Sequence, residues 1–107
     1  MVKVTLNKNE LAVFKECLED ASMNGYDFGF VDDIRVEGLS KHQVAGYISS
    51  LSTKDAIRIT DDEYRQTMIN PTFAAAAGLD DYNVEYLREQ GYFNEEHQAI
   101  EVVLVEK

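Results

Sequence analysis

Apolar positions change period several times along the chain, and each change marks an element. In "VKVTL", Val2, Val4 and Leu6 alternate with Lys3 and Thr5, the pattern of a half-buried strand, and Asn7 or Asn9 then stands where a helix cap belongs. Beyond it Leu11, Phe14, Leu18 and Ala21 recur at helical spacing, and Asn24-Gly25 supplies a stop. Cys17 lies beside this stripe and reads as a small core residue, with a reactive thiol as the alternative. "YDFGF" is a loop or a short extended piece, and "VDDIRVEG" predicts a two-turn helix ended by Gly38.

Ser40 caps a third predicted helix. Val44, Tyr47, Ile48 and Leu51 form its i, i+3, i+4, i+7 apolar stripe, which leaves His42, Gln43, Gly46, Ser49, Ser50 and Thr53 on a small, polar opposite face. "AIRIT" then alternates as a strand, "DDE" turns, and "YRQTMI" returns antiparallel until Asn70-Pro71 interrupts the ladder. "FAAAAG" is a short helix or a packed spacer. "DDYNVEYLREQGYF" predicts a helix with Asp80 or Asp81 near its start, where carboxylates suit the dipole, and Gly91 after its end. In "AIEVVLVE", Ile100, Val102 and Leu104 share one face while Val103 and Val105 make the other partly apolar. Such a strand wants cover, from the first strand, the hairpin or a second subunit. No repeat, low-complexity tract or flexible linker divides the chain, so one domain over 1–107 is expected, with a core at 2–69 and an acidic helix-strand extension at 70–107.

The order strand, helix, short helix, helix, hairpin resembles a winged helix-turn-helix domain of the bacterial multiple-antibiotic-resistance-repressor type over about Val2 to Ile69. "TLNKNELAVFKECLEDA" resembles the opening helix of that family. "VDDIRVEGLSKHQVAGYISSLSTKDAIRI" resembles its helix-turn-helix and first wing strand, through Asp33, Ile34, Gly38, Leu39, Ser40, Val44, Ile48, Leu51 and Ile57. The fold class this implies is α+β: three helices with a two- or three-stranded wing sheet, plus the extension. Two departures stand out. Asp55 and Ala56 follow Lys54 where family members usually place a basic residue and Gly, and the wing tip is Asp61, Asp62 and Glu63 instead of being Gly-rich or basic. Asp tolerates the left-handed region better than most residues.

Charge narrows the functional reading. Ten Lys and Arg oppose twenty Asp and Glu, a formal net charge of -10, so affinity for a polyanion has to come from a local patch. Between Leu39 and Thr60 the balance reverses, because Lys41, Lys54 and Arg58 face only Asp55. The resemblance implies double-stranded DNA as partner, with helix 40–54 in the major groove and a role in transcriptional regulation. Gln43 then pairs with adenine and His42 with a guanine edge, Ser49, Ser50 and Thr53 reach bases or phosphates, and Lys41, Lys54, Arg58 and Arg65 hold phosphates. Gly46 lets the helix backbone come close.

The competing expectation is an acidic interaction module, such as a small phage-type inhibitor, that binds a basic protein surface through Asp61, Asp62, Glu63, Asp80, Asp81, Glu85 and Glu89 and leaves DNA alone. Segment 73–107, with Tyr82, Tyr86, Leu87, Tyr92 and Phe93, is a candidate either for homodimerisation or for capping the domain's own sheet. Catalysis is not expected: there is no Gly-rich phosphate loop, Cys-x-x-Cys or nucleophile motif, and the adjacent acidic pairs diverge in a helix or strand. His97 has no second ligand at a metal-binding spacing, so neither a metal nor a cofactor is expected. The lone Cys17, the lack of an apolar run of roughly 20 residues and the lack of a leader pattern lead to a cytoplasmic expectation without membrane contact.

Overall fold

The alternation at the start of the chain forms β1 (Val2–Asn7), which leads directly into α1 (Lys8–Met23). The computed structural model describes residues 2–23, 29–31, 34–59, 66–78 and 100–105. Between Asn7 and Asn9, Asn7 is the helix cap. Its Oδ1 accepts from the Glu10 N–H at 2.8 Å, while Glu10 Oε1 accepts from the Asn7 N–H at 3.0 Å, a reciprocal capping box. The buried face of α1 is Val13, Phe14, Cys17 and Leu18, with Leu11 only partly covered. Cys17 is fully buried, and that burial, helped by Asp20 and Glu16, pushes its thiol up to about 12. It is a core residue with no thiolate to offer at neutral pH.

After β2 (Gly29–Phe30) and a 3-10 assignment at Val31, the expected two-turn helix does not form across Ile34–Val36. That stretch is irregular, turned by Ile34 N–H to Val31 O at 3.3 Å and Leu39 N–H to Val36 O at 3.1 Å, with Gly38 at φ +88°. The physical reason is local. Val31, Ile34 and Val36 are β-branched, and so short a segment does not recover the cost of nucleation. Burying Ile34 in the core satisfies the segment's apolar content without a helix.

α2 (Lys41–Thr53) begins at Ser40, whose Oγ accepts from the Gln43 N–H at 3.1 Å while Gln43 Oε1 accepts from the Ser40 N–H at 2.8 Å. Val44, Ile48 and Leu51 are buried and Tyr47 partly so, as the stripe predicts. Behind α2 the chain reverses through Asp55 at φ +62°, the left-handed position that Gly takes more readily. β3 (Ile57–Ile59) and β4 (Gln66–Ile69) pair antiparallel, as expected, and β2 joins the far side of β4 to give a three-stranded sheet of order β2-β4-β3. Asn70 closes the hairpin end, taking Ala56 O through its N–H at 3.0 Å and Asp55 O through Nδ2 at 2.9 Å. With Asn70 as cap and Pro71 at the first helical position, "FAAAAG" yields the short helix α3 (Pro71–Ala76).

β5 (Ile100–Val105) lies parallel to β1 in a separate two-stranded sheet, with Val4 opposite Val102 and Leu6 opposite Leu104. Of the three expected partners for this strand, the first strand pairs with its edge, while Leu104 and Val105 stay exposed on its faces. Leu6, Phe14, Leu18, Ile34, Ile48, Leu51, Ile57 and Phe73 make one continuous core, in which the rings of Phe14 and Phe73 meet edge to face at 5.4 Å. Each such side chain contributes about 1.5–3 kcal/mol by its burial. The architecture is α+β. The turn at Asn24-Gly25, Asp33, the wing tip, the helix expected to start near Asp80 or Asp81 and end before Gly91, and His97 lie outside the described residues.

Candidate nucleic-acid interface

Because α2 buries only one stripe, its remaining side chains divide into two further faces. One points outward. His42, Ala45, Gly46, Ser49 and Thr53 succeed one another along the helix and are all exposed, with Lys41 exposed at its start. Nothing lies within 4 Å of where a Cβ on Gly46 would sit. The Thr53 hydroxyl donates to Ser49 O at 3.1 Å, which leaves its oxygen and the Ser49 hydroxyl facing solvent.

The other face turns toward the start of α1. Gln43, Tyr47, Ser50 and Lys54, spaced by helical turns, line an open groove of about 400 Å³ together with Asn7, Glu10 and Gly46. Glu10, only 4% exposed, is the hub of this groove. Its Oε2 accepts from Ser50 Oγ at 2.6 Å and from Lys54 Nζ at 2.7 Å, and Lys54 also donates to the Thr5 carbonyl at 2.7 Å. Asn9 Nδ2 donates to the Tyr47 hydroxyl at 3.1 Å, a second tie between the helices. Burial by itself raises the Glu10 carboxyl. Hydrogen bonds from Lys54, Ser50 and the Asn7 amide, together with the Lys54 charge, outweigh that and hold it below the usual carboxylate range.

Nine side chains were expected to meet DNA, and the structure sorts them. Lys41, His42, Ser49 and Thr53 share the exposed front of α2. Gln43 is exposed but spends its amide oxygen on the capping box. Ser50 and Lys54 turn to Glu10. Arg58 is exposed on β3, and Arg65 lies outside the described residues, as do Asp61, Asp62, Glu63, Asp80, Asp81, Glu85 and Glu89. Sequence reading missed Glu10 as an organising residue. The signal was present, since Asn7-x-x-Glu10 is a capping-box spacing.

The described residues carry seven basic and seven acidic side chains, so the whole net charge of -10 falls on the others. Among the described residues no group of three His, Cys, Asp or Glu side chains comes together as a metal site, and no helix is long and apolar enough to cross a membrane. No protein-family model matches the sequence, and neither a curated protein nor a solved structure matches the chain.

Proposed function

We propose that the chain is a winged helix-turn-helix protein that binds double-stranded DNA as a regulator, with α2 in the major groove and the β3–β4 hairpin as the wing. The observation that carries this reading is the outward stripe of α2. It is exposed, small and polar, on a helix whose opposite face is sealed into the core, beside a three-stranded sheet of order β2-β4-β3. In this reading His42 and Ser49 address base edges, Lys41 and the first amides of α2 hold a phosphate, and Gly46 admits close approach. The phosphate term is thin, so a monomer binds weakly and a dimer gains by doubling the footprint.

The test is fluorescence anisotropy on random-sequence duplex DNA at low salt and near 150 mM, with the Lys41→Glu variant alongside. Binding that weakens with salt and disappears in Lys41→Glu is the expected result. No binding at low salt overturns the reading.

A second reading, docking on a basic protein surface, is favoured by the charge distribution. The described body is electrically balanced, and the acidic excess lies in the remaining residues, which include Asp61, Asp62, Glu63, Asp80, Asp81, Glu85 and Glu89. Reversing charges in that set abolishes docking and spares DNA binding, whereas Lys41→Glu does the opposite.

A further inference from the structure

Lys54 stands just past the end of α2, beside the face that the DNA reading assigns to the duplex, yet its ammonium is held by Glu10 Oε2 and the Thr5 carbonyl, each at 2.7 Å. The two partners are unequally placed. The Glu10 side chain is 5% exposed and the Lys54 side chain 29%, so the ammonium is the member of the pair that an incoming phosphate can reach. Its flexible four-carbon stem allows the reach, and the groove beside Gly46 and Tyr47 leaves the space.

We propose that Glu10 is an internal counter-ion that competes with DNA phosphate for Lys54 and so sets the strength and salt dependence of DNA binding. This rests on the DNA reading above. A phosphate that takes Lys54 leaves a buried carboxylate with only Ser50 and the Asn7 amide as donors, a penalty that one solvent-screened phosphate contact does not offset. Lys54 is therefore silent in the native protein. Neutralising Glu10 releases it, and Gln in its place still completes the capping box, since Glu and Gln serve that position alike.

The experiment is anisotropy of the full chain on random-sequence duplex between 50 and 200 mM salt, for the native protein, Glu10→Gln, Lys54→Gln and the double variant, with melting curves showing that each is folded. One added phosphate contact contributes a slope of about 0.9, so Glu10→Gln loses about 3.5-fold more affinity than the native protein across that range. It also binds more tightly at the low-salt end. Lys54→Gln keeps the native slope, and the double variant returns to it. If Lys54→Gln alone unfolds, Glu10→Gln against the double variant decides. A native slope that flattens in Lys54→Gln, an unchanged slope in Glu10→Gln, or a steep slope that survives in the double variant overturns the counter-ion role and leaves the DNA reading standing. Absence of binding in both the native protein and Glu10→Gln overturns both.

Discussion

Replacing Lys54 by Met removes the ammonium from Glu10 while keeping most of the stem's packing. Glu10 then retains a buried charge with two donors, Ser50 Oγ and the Asn7 amide. Breaking a fully buried pair typically costs 3–5 kcal/mol, but Lys54 is 29% exposed and water reaches its end of the pair, so about 2 kcal/mol is the expected loss. Glu10→Gln leaves the capping box and strands only a cation that water already reaches, for a loss of about 1 kcal/mol. The double variant removes both charges and loses about 1.5 kcal/mol, a coupling of roughly 1.5 kcal/mol against simple addition. Urea unfolding at pH 7 measures this, and with a slope of about 1.5 kcal/mol/M the Lys54→Met midpoint falls by more than about 1 M. The Glu10 carboxyl lies lower in the folded than in the unfolded chain. Its contribution is therefore present above the unfolded value near 4.5 and fades as pH falls through the depressed folded value, so the Lys54→Met penalty shrinks in acid. Losses that add within about 0.5 kcal/mol at pH 7, or a penalty that grows on acidification, would show that Lys54 does not stabilise the Glu10 carboxylate.

Three further outcomes are expected. Gly46→Ala stabilises by up to about 1 kcal/mol in thermal or urea unfolding, because the added Cβ meets nothing and Ala favours the helix, whereas on the DNA reading the same change lowers affinity in the anisotropy assay. Thr67 is fully buried in β4 with its hydroxyl unpartnered, so Thr67→Val raises stability by roughly 1 kcal/mol, measured as a shift in the urea midpoint. Cys17, buried and pushed up to about 12, resists a thiol-specific reagent in the native protein at pH 8 and reacts fully in denaturant; rapid native labelling would contradict its burial.

What was legible in the sequence were the elements that a single period specifies. The alternation of β1, the helix α1 with Phe14 and Leu18 inward, the capped α2 with Val44, Ile48 and Leu51 inward and the antiparallel pairing of β3 with β4 follow from spacing and turn chemistry. The expected helix was not realised across Ile34–Val36, where β-branched residues make helix propensity weak and burial of Ile34 places the segment's apolar content without a helix. The pairing of β5 with β1 was one of three open choices, since a strand's apolar faces announce that it needs a partner without naming one. The front of α2 was visible as a polar face, but its division into an outward stripe and a stripe engaged by Glu10 was not. That division depends on where the start of α1 crosses α2, a contact between Glu10 and Lys54 to which no local spacing points.

The β1–β5 ladder joins Val2 to Ile100, so it closes a loop that encompasses every other described element. Loop closure of that length costs roughly 2 kcal/mol more entropy than closing a ten-residue hairpin. The ladder is therefore the contact that waits longest during folding. On a ribosome, β1 emerges before β5 and has no ladder partner until β5 follows, while α1, α2 and the β2-β4-β3 sheet already have theirs. During that interval Leu6 and Val4 against the core and Lys54 on the Thr5 carbonyl tie the strand to the helices, so the Glu10–Lys54 pair fixes β1 before its ladder exists.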